Sequence, residues 1–78
     1  MKKEDLCQIG SRLREAREEK HLTQAELAQK VDKAVSYVEM IERGDRSVSL
    51  ETFIDILKVL GVTADSILCD VIDQEEVV

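Results

Sequence analysis

The residues in this chain that could do acid–base, nucleophilic or metal chemistry are few, and their spacing suits none of it. His21 is the single histidine, and it stands where a helix is ending, with no serine or cysteine at the spacing of a nucleophile–base pair. Cys7 and Cys69 are too few for a disulfide framework and make no Cys-x-x-Cys pair for zinc, so both are expected to act as small buried hydrophobes. The carboxylates spread as surface charge, and no glycine-rich phosphate loop occurs. Catalysis, a bound metal, a cofactor and a small-molecule substrate are therefore not expected. What remains is the chemistry of binding, and it depends on the elements that carry the side chains.

Those elements are expected to be helices. The 78 residues contain no proline, three glycines and two aromatics, Tyr37 and Phe53. With 44% hydrophobic and 36% charged residues, the chain is too apolar for disorder and too charged for a membrane. One small domain is expected over residues 1–69, followed by an acidic tail at 70–78. The start, MKKEDLCQIG, lacks the apolar run of a signal peptide, which predicts a cytoplasmic protein.

Apolar spacing predicts five helices, an all-α bundle. The first covers about 6–20, with Leu6, Ile9, Leu13 and Ala16 on one face and Gly10 as an imperfection. Thr23-Gln24-Ala25-Glu26 has the form of a capping box opening a second helix to about Val31. A third runs from about Ala34 to Arg43, with Val38 and Ile41 inward and Gly44 as its left-handed stop. No Ser or Thr caps it at Ala34, and Ser36-Tyr37-Val38-Glu39 offers a second box that would start it two residues later. Ser49 caps a fourth, whose stripe is expected to be Leu50, Phe53, Ile54, Leu57 and Leu60, closed by Gly61. Thr63 caps a short fifth carrying Ala64, Ile67 and Leu68.

The second and third helices are each about two turns long, and only three or four residues connect them. Helices that short do not stack as a bundle hairpin; they cross steeply, as in a helix-turn-helix. At this point the chain resembles the phage-repressor and Cro-like (XRE-type) helix-turn-helix family. The resemblance is carried by IGSRLREAREEKHLTQAELAQKV, SYVEMIERG and SLETFIDILKVLGVTADSIL, and it spans about residues 9–68. It implies a lambda-repressor-like domain of five helices, binding to a double-stranded DNA operator as a symmetric homodimer, and regulation of transcription in the manner of a repressor. The net charge of −6 does not forbid this, because residues 1–46 balance ten cations against ten anions and the excess acidity lies in 47–78.

On that reading the third helix enters the major groove with Val35, Ser36, Glu39 and Met40 toward the bases. No Arg, Asn or Gln stands there to make bidentate contacts with guanine or adenine. Val35 and Met40 could meet thymine methyls, Ser36 several base edges, and Glu39 cytosine N4. Facing phosphate, Glu39 repels it unless it accepts a hydrogen bond from a base or orients an arginine. Gln24 resembles the family's phosphate contact, the alternative being an ordinary exposed residue. Lys33, Arg43 and Arg46 flank the third helix as phosphate clamps or as solvated charge. Tyr37 offers its hydroxyl to a phosphate or sits as an edge aromatic. The poor base-reading chemistry keeps a second function open: a protein-interaction module, an antirepressor or adaptor, using the same face.

Two further sets are structural. Arg17 extends the apolar stripe of the first helix and Glu42 that of the third, so opposite charges on two inward edges are expected to pair; the resemblance implies the same contact. Ile67, Leu68, Val71 and Ile72 continue an apolar stripe beyond the core and are expected to form a dimer interface, the alternative being that Ile67 and Leu68 only close the monomer.

Overall fold

The chain's own punctuation sets where its helices begin and end. In a computed structural model, residues 1–69 and 71 are described, and every regular element among them is helical: α1 (Lys3–Glu19), α2 (Gln24–Lys30), α3 (Val35–Arg43), α4 (Leu50–Leu60) and α5 (Ala64–Leu68). The expected acidic tail at 70–78, Val71 excepted, lies outside the described residues. Thr23 and Glu26 form the complete capping box of α2. Ser49 accepts the Thr52 amide at the head of α4, and Thr63 accepts that of Ser66 at the head of α5. α3 begins at Val35 behind Ala34 with no side-chain cap, so the later start at the Ser36 box does not occur. The reason is the preceding turn. Asp32 is left-handed at φ 57°, and the Lys33 amide bonds back to the Ala28 carbonyl, which fixes the chain direction before Ala34 is reached.

Similar backbone wraps end α1 and α3. His21 (φ 59°) follows α1, with the Leu22 amide on the Arg17 carbonyl, and Gly44 (φ 78°) follows α3, with the Asp45 amide on the Met40 carbonyl. Only the second of these has the residue best suited to the conformation. Gly44 also leaves no room for a side chain, since a Cβ there would lie 2.7 Å from the Cys7 backbone.

The core is built from Ile9, Leu13 and Ala16 of α1, Leu27, Ala28 and Val31 from α2 and its exit, Val38 and Ile41 of α3, Phe53, Ile56, Leu57 and Leu60 of α4, and Ile67 of α5. Three expectations are corrected by it. On α4 the buried face is Thr52, Phe53, Ile56, Leu57 and Leu60, while Leu50 is 73% and Ile54 42% exposed. Apolar residues cover so much of this helix that periodicity alone does not choose the face. Cys7 and Cys69 are exposed, not buried, because Cys7 is covered by Gly44 on one side only and Cys69 lies beyond the end of α5. Ile67 is 3% exposed inside the monomer core, so its side chain is not free for a dimer contact.

Gly10 is no imperfection. α1 packs closely against α3 here, and a Cβ on Gly10 would fall 2.3 Å from the Ile41 carbonyl oxygen and 2.7 Å from that of Glu42. Alanine ordinarily gains about 1 kcal/mol over glycine inside a helix. Here the obstacle is backbone, which has no rotamer to change, so overpacking should win at about 3 kcal/mol. Gly10→Ala is therefore expected to lose about 2 kcal/mol net in a urea melt. A neutral or stabilising result would contradict the close approach.

Candidate nucleic-acid interface

The angle between α2 and α3 is held by one buried ion pair and its extensions. Arg17, on α1, donates from Nε to Glu42 Oε2 at 2.7 Å and from Nη2 to Oε1 at 3.1 Å. Its third nitrogen, Nη1, donates to the Leu22 carbonyl at 2.7 Å. The Gln24 amide, at the first position of α2, donates to the same Glu42 Oε1 at 3.0 Å. The side chains of Arg17 and Glu42 are only 10% and 4% exposed. Bonding to the Glu42 carboxylate, against the opposing effect of burial, pushes the Arg17 guanidinium above its ordinary value. Arg17 and Glu42 thus meet where their stripe positions pointed. The link from Gln24 to Glu42 is not readable in the sequence, because nothing local joins residues 18 apart.

α3 turns Val38, Ile41 and Glu42 inward. Outward it shows Ser36 and Arg43, exposed, Val35 at 39% exposure, and Glu39 and Met40, half-buried. These are the positions expected to face bases, and they do share the outer side of one helix. The Glu39 carboxylate has no hydrogen bond or ion pair among the described residues.

The expected phosphate contacts separate into two kinds. Arg43 pairs with Asp45 at 3.1 Å, and Asp45 also pairs with Lys3, whose ammonium reaches the Gly44 carbonyl at 2.7 Å as well. The hydrogen bond from Lys3, then Arg43 nearby, holds the Asp45 carboxyl below its ordinary range. Lys3 and Asp45 were not singled out in the sequence; they are brought in by the turn at Gly44. Lys33 and Arg46, by contrast, meet no carboxylate among the described residues. Lys33 Nζ lies 5.6 Å, and Arg46 Cζ 4.8 Å, from the centroid of the half-buried Tyr37 ring.

Of the expected dimer residues, Leu68 and Val71 are half-buried and pack on the core, and Ile72 lies outside the described residues. A shallow apolar groove beside Leu68 is lined also by Met1, Ile9, Val48, Leu50 and Phe53. Leu50 is not legible as surface because it continues the apolar pattern of α4, and Met1 belongs to no pattern in the sequence. No helix among the described residues is long and apolar enough to cross a membrane.

This arrangement of helices is shared with known proteins. A family profile described as Helix-turn-helix matches residues 13–67. The chain belongs to the XRE-type helix-turn-helix family. The restriction-modification controller protein C.AhdI from Aeromonas hydrophila superposes with a TM-score of 0.78 at 38% identity, over 82% of this chain and 97% of that one. The clp gene regulator ClgR from Corynebacterium glutamicum superposes in two structures at a TM-score of 0.80 and 29% identity, over 85% of this chain and 85% and 70% of those chains. No curated protein matches the chain significantly.

Within this helix-turn-helix, the ion pair and the surface network should differ sharply in worth. Removing one partner of a buried pair strands the other, at about 3–5 kcal/mol, whereas an exposed pair is worth about 0–1 kcal/mol. Glu42→Ala is expected to lie in the first range and Arg43→Ala in the second, by denaturant titration. A Glu42→Ala cost under about 1 kcal/mol would show that the pair does not hold α1 to α3.

Proposed function

We propose that this helix-turn-helix chain is a DNA-binding transcriptional regulator that reads an operator with α3 in the major groove, as a symmetric dimer in the cytoplasm. One observation carries the reading: the outward face of α3 is flanked by two cations, Lys33 and Arg46, that no carboxylate among the described residues neutralises. They supply the sequence-blind attraction to phosphate on which such binding rests. Gln24 adds a positioned contact, because the bond to Glu42 fixes the plane of its amide at the head of α2. Arg43 contributes less than its position suggests, since Asp45, shared with Lys3, offsets part of its field.

Val35, Ser36, Glu39 and Met40 would then face the bases. A partly apolar face with one unpaired carboxylate also suits a protein partner, and this keeps the interaction-module reading alive. Binding to mixed-sequence duplex over a range of salt separates the two. Affinity should fall steeply with salt, and Arg46→Ala should lower the slope of log K against log salt by about one per protomer. Glu39→Gln should bind bulk duplex more tightly and discriminate less among sequences. If the wild-type chain is not retained on duplex DNA at low salt, the interaction module replaces the regulator.

The dimer is best placed at the groove lined by Met1, Val48, Leu50 and Leu68, with Val71 and Ile72 nearby in the chain and Ile67 behind it in the core. A twofold axis there would let an apolar strip meet its own copy and set two α3 helices about 34 Å apart on the duplex. Sedimentation at about 10–100 µM, a range corresponding to a modest interface, should show a dimer that Leu50→Glu dissociates without unfolding. A chain that sediments as a monomer throughout would remove this part of the reading.

A further inference from the structure

Two cations from different loops converge on one aromatic ring. Lys33 precedes Tyr37 by one helical turn and comes from the α2–α3 connection, whereas Arg46 arrives from the α3–α4 connection after the chain has reversed at Gly44. Their charged ends lie 5.6 Å and 4.8 Å from the ring centroid. Tyr37 itself is half-buried and packs against the core, so its ring is a fixed platform while both cations are exposed.

The same molecule holds other cations differently. Arg43 and Lys3 are kept in place by Asp45, and the carboxylate that orders them also offsets half of their combined charge. A ring orders a cation through its quadrupole and leaves the net charge intact. For a side chain that must later attract phosphate, that difference matters: the rotamers of Lys and Arg are narrowed beforehand and the field is kept.

We propose that Tyr37 is a positioning residue of the nucleic-acid interface, whose ring, not its hydroxyl, holds Lys33 and Arg46 together as a two-cation clamp for the DNA phosphate backbone. The clamp rests on the DNA-binding reading above. It differs from a direct Tyr37 contact, in which the hydroxyl would donate to a phosphate oxygen and the neighbouring cations would act alone.

The test uses the full chain with Tyr37→Phe and Tyr37→Leu, with Tyr37→Met as a second ring-free variant should Leu impair folding. In the absence of DNA, proton spectra should show ring-current shifts at the side-chain methylenes of Lys33 and Arg46 in wild type and in Phe, and not in Leu or Met. On mixed-sequence duplex at low salt, Phe should bind within about twofold of wild type and the ring-free variants about five- to tenfold more weakly. In a background of Lys33→Ala with Arg46→Ala, removing the ring should cost nothing further, because Tyr37 acts through those two residues. Three results would overturn the clamp: no ring-current shifts in the wild type, a Phe variant as weak as Leu, or a ring effect that survives loss of both cations. A wild-type chain that ignores duplex DNA while its shifts are present overturns the DNA reading and the clamp's ligand with it, and leaves the ring–cation contacts standing.

Discussion

Arg17 carries a charge that water would hold far better than the protein interior does, and three helices are arranged around meeting that cost. A guanidinium removed from solvent needs its donors filled and its charge balanced. Here Glu42 on α3 supplies two acceptor oxygens, and the Leu22 carbonyl, in the connection leading to α2, supplies a third. Gln24 then fills remaining capacity on Glu42 from the first position of α2. Every partner belongs to a different piece of chain, so α2 cannot rotate relative to α3 without unmaking the half-buried Gln24–Glu42 bond. The apolar core would tolerate small rotations; this cluster does not, because hydrogen bonds are directional and hydrophobic contacts are not. Gly10 extends the constraint along the same seam by letting the backbone of α1 come close enough to α3 for Arg17 to reach.

How legible this was in the sequence depended on how local each signal is. The capping box at Thr23–Glu26 and the stop at Gly44 were readable because both are completed within a few residues. The partnership of Arg17 and Glu42 followed from charges at stripe positions of two separate helices, since each would be intolerable alone. Gly10 read as a defect because its partner is a carbonyl on another helix, and helix propensity knows nothing of that carbonyl. The face of α4 was misjudged at Leu50 and Ile54, since apolar residues line so broad an arc that only the position of its neighbours selects Ile56 over them. At the site, the outward set on α3 could be derived from the inward one. The sharing of Tyr37 between Lys33 and Arg46 could not: one contact lies a helical turn away, but the other depends on the reversal at Gly44.

The surface charges show why a count of cations says little about a binding face. Lys3, Arg43 and Arg46 all surround the end of α3, yet a single residue, Asp45, draws two of them into a local network and offsets one of their two charges. The net charge of −6 is equally uninformative, because exposed charges more than about one Debye length apart are largely screened by salt. What a duplex would meet is the local field at the ends of α3, and that field is set by which cations are held without a counter-ion.

Between those ends, the face of α3 has little with which to reward a correct base pair. Val35 and Met40 gain modestly from a thymine methyl, and Ser36 accepts almost any edge. Glu39 works the other way. A carboxylate can only accept hydrogen bonds, so it is satisfied by the amino group of cytosine or adenine and opposed by the two acceptors that guanine shows in the major groove. Glu39 is half-buried even before any partner arrives, and closure over DNA would strip more water from it, which raises the cost of a mismatch more than it raises the gain from a match. Discrimination on this face would thus come chiefly from rejection. Rejection needs a separate source of affinity to act against, and the sequence-blind attraction of Lys33 and Arg46 at its margins is of that kind.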